Sequence, residues 1–309
     1  MMPKKIIITP SSFGECGNQP LELLKKQHYE IILNPFHRKM TPEEVMELGK
    51  DCIGIIAGVE SLNEKVLRSL PSLRCISRVG VGIDTIDTKC AQELNIIIKN
   101  TPDGPTRAVA ELTIGLIFDV LRKISYRDRL IRNGVWNKEM GSLLEDKKIG
   151  IIGLGRIGRM VAELLLALGA DILGNDIQPD QEWCKRKKIR LLSLHELLAQ
   201  SDIVCIHVSL SSKSTPLLGK RELESMKSDS FLINISRGNA VDEEALYHVL
   251  KNNHLSGAAL DVFSSEPYKG PLTTLDNIVL TPHIGSYAKE SRLEMEIQSV
   301  KNLLDALKK

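Results

Sequence analysis

The sequence predicts an α/β protein in two domains, each built on a parallel sheet, and three observations carry that expectation. Short runs rich in β-branched residues alternate with stretches of helical periodicity along most of the chain. The runs are almost wholly apolar, as strands are when helices cover both faces of their sheet. At 309 residues, the chain also exceeds what one hydrophobic core usually organises.

Taken in order, the runs that read as strands are residues 5–9, 29–33, 53–57, 73–79, 96–98, 148–152, 171–175, 203–207, 230–235, 257–262 and 277–280. Helical periodicity marks segments such as 41–50 and 242–252, a long stretch from about 106 to 133, and an amphipathic C-terminal segment. Two Pro/Gly-bearing segments, Asn100-Thr101-Pro102-Asp103-Gly104-Pro105 and Thr281-Pro282-His283-Ile284-Gly285-Ser286, read as boundaries. If the last helix returns to the first hundred residues, 1–99 and 286–309 form one discontinuous domain and 100–285 the other.

Composition narrows the function. With 42% hydrophobic and 26% charged residues, the chain is an ordinary soluble protein. A net charge of +2 and 4% aromatic residues offer neither a nucleic-acid surface nor a membrane patch. The apolar run after Lys4-Lys5 stops too soon for a secretory signal, and no stretch is long enough to span a bilayer. The six cysteines are scattered without a C-x-x-C pair, and several sit in apolar runs, which fits a reducing cytoplasm. No His/Cys/Asp spacing suggests a metal site, and no phosphate-binding G-x-x-x-x-G-K-[ST] occurs.

One strand–turn–helix carries a specific signal. The run 148–152 enters Gly153-Leu154-Gly155-Arg156-Ile157-Gly158, and a helical pattern follows with Val161, Leu164, Leu165 and Leu168 on one face. In a dinucleotide turn Gly153 makes the tight bend, Gly155 lets a pyrophosphate approach the backbone, and Gly158 lets helix pack on strand. The helix N-terminus then presents free N–H groups to the phosphates. The next strand ends at Asp176, 18 residues past Gly158. An acid there accepts the adenosine ribose hydroxyls and repels a 2′-phosphate, so NAD is expected rather than NADP. Arg156 either meets the pyrophosphate or faces solvent.

Three further strands each end in a residue suited to hydride transfer. Their loops carry Ser236-Arg237-Gly238, Ser264-Ser265-Glu266-Pro267 and Pro282-His283-Ile284. Ligands of open α/β sheets bind beyond the carboxyl ends of the strands. Oxidising a hydroxy acid needs a base for the hydroxyl proton and a cation for the carboxylate. His283 can be base in one direction and acid in the other. Glu266 would orient its ring, and the planar fork of Arg237 matches a carboxylate. Plainer readings stand beside these: Arg237 paired with Asp242, Glu266 as a turn residue, and His283 bonded to backbone at a hinge.

These residues resemble the D-isomer-specific 2-hydroxyacid dehydrogenase family. The similar stretches include Val79-Gly80-Val81-Gly82-Ile83-Asp84, Ala108-Val109-Ala110-Glu111-Leu112, Gly150 to Gly158, Leu232 to Gly238, Leu260 to Pro267 and Thr281 to Ser286. The resemblance implies a discontinuous flavodoxin-like substrate domain around a Rossmann NAD-binding domain that forms a homodimer. It implies the same roles for Arg237, Glu266 and His283. It further implies cofactor contacts from Arg156, Ile157, Thr106, His207, Val208, Thr215, Ile235, Ser236, Asp261 and Gly285, and substrate contacts from Val79, Gly80, Val81 and Gly82.

Within the family the chain is most similar to a branch acting on 3-phosphoglycerate. There the arginine at the place of Arg78 reaches the substrate phosphate, and the Gly134-Val135-Trp136 segment with Lys138 reaches the partner subunit. A strand-end surface arginine is the plainer reading of Arg78. The chain departs from that branch at Lys138, where Arg is usual, and at Val81, where a small polar residue is usual. A glyoxylate or hydroxypyruvate reductase is the competing activity. NAD-sensing co-repressors of the same fold form a competing class, but the chain ends soon after its last helix without their disordered tails.

Overall fold

The computed structural model describes residues 4–210 and 215–308. The chain folds into two compact units, Met1–Pro105 with Ser286–Lys309, and Thr106–Gly285.

The first unit runs β1 (Lys5–Ile8), α1 (Gln19–Lys25), β2 (Glu30–Leu33), α2 (Pro42–Gly49), β3 (Cys52–Ala57), α3 (Glu64–Arg68), β4 (Cys75–Arg78), α4 (Thr88–Glu93) and β5 (Ile97–Lys99). All strands pair in parallel, in the order β2-β1-β3-β4-β5. That is the flavodoxin-like order. Alternation along the strands divides the core between the faces. Ile7, Ile55 and Ile76 enter one cluster with Val45 and Val66. Ile6, Ile8 and Ile56 enter the other with Val300 and Leu303 of the C-terminal helix Lys289–Leu307. Helix starts are fixed locally: Thr41 and Glu44 form a capping box, and Asn63 and Asp87 accept amides at the starts of α3 and α4. Residues 100–105 belong here, with the Asn100 carbonyl accepting from Asn302 Nδ2 and Gly104 lying against Met295.

The second unit opens with α5 (Thr106–Arg122) and α6 (Ile124–Arg132). It continues β6 (Lys148–Ile152), α7 (Arg156–Ala167), β7 (Asp171–Asn175), α8 (Gln181–Arg186), β8 (Arg190–Leu191), α9 (Leu194–Gln200) and β9 (Ile203–Ile206). Then come α10 (Lys220–Ser225), β10 (Phe231–Asn234), α11 (Glu243–Lys251), β11 (Gly257–Leu260) and β12 (Ile278–Leu280). The parallel order β12-β11-β10-β9-β6-β7-β8 is a doubly wound Rossmann sheet with one strand added. The direction in which successive strands are added reverses between β6 and β9, which makes that pair the switch point. Ile149, Ile151, Ile203 and Cys205 face one core, and Ile152, Val204 and Ile206 the other.

Two expectations need correction, and one strand was missed. The long helical stretch from about 106 to 133 is two helices, because Lys123 takes a left-handed φ of 51°. Asp119 stabilises the break by accepting the Ser125 amide at 2.8 Å and its hydroxyl. The strand β8 gave no apolar run, since its two residues are both exposed. Leu168 caps α7 and is 44% exposed, so the buried face is Val161, Ala162 and Leu165. Among the described residues, no helix is long and apolar enough to cross a membrane, and no group of three or more His, Cys, Asp or Glu is placed to hold a metal.

Candidate active site

The carboxyl edge of the seven-stranded sheet collects most of the residues singled out above. Following the sheet order, it carries Asp176 after β7, the glycine turn after β6, His207 after β9, Arg237 after β10, Glu266 after β11 and His283 after β12. From β7 to β12 this row covers five strand spacings, roughly 24 Å.

At the glycine turn, the first and third glycines approach other backbone closely. Gly153 sits at φ +93°, and a Cβ there would lie 2.4 Å from the His207 carbonyl oxygen. A Cβ on Gly158 would lie 1.9 Å from the Gly153 oxygen, so helix and turn meet in direct backbone contact. Gly155 is different: nothing lies within 4 Å of its Cβ position. Two glycines are required by the protein itself, and the middle one leaves room for something else. Asp176 accepts the Leu154 amide at 2.6 Å and the Gln178 amide at 2.8 Å. Arg156 is exposed on the first turn of α7, and Ile157 packs against the core.

At the other end, Asn234 of β10 and Leu280 of β12 align across Leu260 of β11. Arg237 and His283 each follow three residues later. Glu266 arrives from the longer β11 loop, and His283 Nδ1 lies 2.9 Å from its Oε2. Glu266 also accepts the Phe263 amide at 3.1 Å, which fixes the carboxylate. His283 has a left-handed φ of 55°, and the turn bearing it is held by Asp261. That fully buried carboxylate accepts the Thr281 hydroxyl at 2.6 Å and the Ile284 and Gly285 amides at 2.8 Å each.

The Arg237 turn has its own support. Asn234 accepts the Ser236 amide at 3.1 Å and the Ser236 hydroxyl at 2.9 Å, while its Nδ2 donates to the Arg237 carbonyl at 2.9 Å. The Arg237 guanidinium donates to the Ser236 carbonyl. Gly238 lets this turn close on the Glu266 loop, since a Cβ there would lie 1.9 Å from the Phe263 carbonyl carbon. Glu243 ties that loop down by accepting the Ser264 amide at 2.6 Å.

In the second unit, buried Thr106 Oγ1 and His207 Nε2 have no hydrogen-bond partner among the described residues. Burial holds the His207 imidazole down at about 4, so the ring is neutral. Orphans are costly unless a ligand or water completes them. With the opening at Gly155 and the acid at Asp176, they fit a bound dinucleotide. Of the other cofactor candidates, Val208 packs beside Gly153, Ile235 is buried, and Thr215 is exposed outside any element.

The loop Arg78-Val79-Gly80-Val81-Gly82 lies on the first unit, at the end of β4, and is held by its own contacts. Gly80 has φ +137° and exchanges bonds with Thr101 in both directions, at 2.8 and 3.0 Å. Asn100 donates to the Val81 carbonyl, and the Arg78 guanidinium donates to the Val79 and Ala57 carbonyls.

Sequence reading missed Asn234, Glu243 and Arg159, which hold the site without touching its chemistry. Asn234 left a signal, a polar residue ending the otherwise apolar run Phe231-Leu232-Ile233. Glu243 left none, because its partner is the Ser264 amide of a distant loop, and Arg159 left none, because its hold on the Leu154 carbonyl and Asp180 depends on how α7 and α8 meet.

Residues 114–285 match the family model described as the D-isomer specific 2-hydroxyacid dehydrogenase NAD-binding domain. The chain is 36% identical over 258 residues to a D-3-phosphoglycerate dehydrogenase of Methanocaldococcus jannaschii, a match covering 82% of this chain and 49% of that protein. It thus spans about half the length of that relative. It is 40% identical over 260 residues to a glyoxylate reductase of Thermofilum pendens, covering 81% and 76% of the two chains. The crystal structure of the TT0316 protein from Thermus thermophilus superposes with a TM-score of 0.89 at 32% identity, covering 98% and 97%.

Proposed function

We infer that this chain, which belongs to the D-isomer-specific 2-hydroxyacid dehydrogenase family, exchanges a hydride between NAD and the carbinol carbon of a D-2-hydroxy acid. The observation that carries the reading is the 2.9 Å contact between His283 Nδ1 and Glu266. With Nδ1 committed to the carboxylate, Nε2 is the ring atom left to take the hydroxyl proton in oxidation and return it in reduction. Glu266, itself fixed by the Phe263 amide, sets the direction of the ring. Arg237 anchors the substrate carboxylate through its two-pronged guanidinium. When bound, the nicotinamide supplies the hydride acceptor or donor. Gly153, Gly155 and Gly158 shape its phosphate turn, Asp176 takes the adenosine ribose, and Thr106 and His207 offer their orphaned atoms. The first unit is the substrate domain on this reading, and the second the cofactor domain. An NADH-coupled assay over a panel of 2-keto acids tests it. His283→Gln should lower kcat by about 10²–10⁴ with little change in NADH affinity, and a variant with full turnover would sink the assignment.

For the substrate, we propose 3-phosphoglycerate, in the direction of 3-phosphohydroxypyruvate and hence serine synthesis, because Arg78 stands at a strand end of the substrate domain where a phosphate needs a cation. A second reading, reduction of glyoxylate or hydroxypyruvate, has its own support. The Arg78 guanidinium is bonded back onto its own loop, and the glyoxylate reductase relatives are matched over more of their length.

We further propose a homodimer formed by the second unit. Its segment from α6 to β6 exposes Ile124, Ile131, Val135, Trp136, Met140 and Leu143, with Trp136 79% exposed, more apolar surface than one chain needs to show. Trp136→Glu should shift sedimentation to the monomer. The cysteines are free, and burial pushes the Cys52 thiol up to about 11 and that of Cys75 up to about 12. Unpaired, protonated thiols suit the reducing cytoplasm.

A further inference from the structure

The peptide joining Leu154 to Gly155 is gripped at its carbonyl by a residue that has no part in the chemistry above. α7 starts at Arg156 with Gly155 as its N-cap, so the Leu154 carbonyl lies outside the helix ladder. Arg159, on the first turn of α7, folds back and donates Nε to that carbonyl at 2.9 Å. The guanidinium is itself immobilised. Its Nη1 lies 3.0 Å from Asp180, and it sits 5.0 Å from the centre of the Trp183 ring. Asp180 in turn caps α8 by accepting the Trp183 amide at 3.0 Å. On the near side of the same residue, the Leu154 N–H is held by Asp176 at 2.6 Å.

A trans peptide is planar, so the carbonyl of residue 154 and the N–H of residue 155 point in opposite directions. Fixing the Leu154 carbonyl toward Arg159 therefore fixes the Gly155 N–H away from it. Gly155 is the turn residue with nothing within 4 Å of its Cβ position. We propose that Arg159 is a positioning residue for the dinucleotide, presetting the direction of the Gly155 N–H so that a pyrophosphate meets a finished turn. The proposal rests on the NAD reading of this site. Without the guanidinium the peptide could rotate, and binding would have to supply the ordering that the folded chain now provides.

The competing explanation is that Arg159 only ties α7 to α8. The two differ in what they do to fragments of the cofactor. A preset turn matters to a ligand with a pyrophosphate and not to one without it. Binding of ADP-ribose by calorimetry and of adenosine by NMR titration should be compared in the full chain and in Arg159→Met, with a thermal melt of each. The expectation is about a tenfold or greater loss for ADP-ribose, the scale of a charge-assisted hydrogen bond, with adenosine affinity unchanged. Asp180→Asn keeps the α8 cap but weakens the hold on Arg159. It should give a smaller loss of the same kind, and it serves if Arg159→Met does not fold. Unchanged ADP-ribose affinity in a folded Arg159→Met, or equal losses for both fragments, overturns the proposal. Failure of the unmodified chain to bind ADP-ribose would overturn the cofactor reading itself.

Discussion

The two units are both parallel sheets, yet they finish their carboxyl edges in different ways. On the five-stranded sheet the polar groups of that edge, apart from Arg78 Nε, bond to one another. Buried Glu60 accepts the Thr9 hydroxyl and the Gly58 amide, Asn34 donates to the Thr9 and Arg38 carbonyls, and Thr101 exchanges bonds with Gly80. On the seven-stranded sheet, Thr106 Oγ1 and His207 Nε2 are buried with no partner, and Gly155 faces open space. An edge closed on its own hydrogen bonds can supply shape. An edge with orphans and a gap can be completed by a ligand, in line with the match of residues 114–285 to an NAD-binding domain.

The glycines offer the sharpest way to break that contrast. Gly158→Ala places a methyl 1.9 Å from the Gly153 oxygen, so it should damage fold and cofactor site together. A loss of at least about 1–3 kcal/mol in stability is expected from overpacking alone, read as a drop in melting temperature, and NADH binding should vanish with it. Gly155→Ala puts its methyl where nothing lies within 4 Å. Its melting temperature should hold while NADH affinity falls about tenfold or more, because the methyl occupies the pyrophosphate's approach. If both variants behaved alike, the gap at Gly155 would be no ligand site.

How much of this was legible in the sequence follows the same division. The strands, the glycine turn and the three strand-end residues were legible because each is encoded locally, by an apolar run and the residues directly after it. The Glu266–His283 contact could be expected on chemical grounds, but its 2.9 Å geometry depends on two loops of unequal length meeting. The break at Lys123 was illegible because the helical pattern continues through it, and only the Asp119 side chain shows why the chain turns there. Asp261 entered the sequence reading only through family resemblance. That it holds the His283 turn emerges once a buried carboxylate is seen accepting bonds from Thr281, Ile284 and Gly285. The orphans were illegible for a related reason, since an unsatisfied atom is defined by what fails to surround it.

A change of middling size tests the closed edge. Arg78 donates to the Val79 and Ala57 carbonyls, and its guanidinium lies 3.3 Å from where a Gly80 Cβ would be. If it also serves a substrate phosphate, Arg78→Ala should raise KM about tenfold for a phosphorylated 2-hydroxy acid, the scale of one lost charge-assisted bond, and leave KM for glycerate or glyoxylate unchanged. If it only braces its loop, KM should rise alike for both kinds of acid. Equal losses would leave the closed edge as shape alone and favour the unphosphorylated substrates.

The smallest expected effect concerns His207 and reads the open edge through pH. Burial keeps its imidazole neutral and pushes its pKa from 6.5 down to about 4. Above pH 6.5 the ring is neutral in both folded and unfolded chains, and its burial adds no pH dependence. Between 6.5 and about 4 the unfolded chain takes up a proton that the folded chain refuses, so stability contributed by the neutral ring is lost as pH falls through this window. His207→Gln has no such proton to take up, and its melting temperature should fall less steeply than that of the unmodified chain between pH 6.5 and 4. The remaining acid sensitivity belongs to carboxylates such as Glu44, which Arg38 and the Thr41 amide hold down at about 2, and it is common to both proteins. Bound ADP-ribose should stabilise the unmodified chain more than the variant if Nε2 is one of the groups it completes. Parallel pH profiles for the two proteins, with equal stabilisation by ADP-ribose, would mean that water already satisfies the ring, and His207 would then leave the set of orphans that marks this edge as the ligand-binding one.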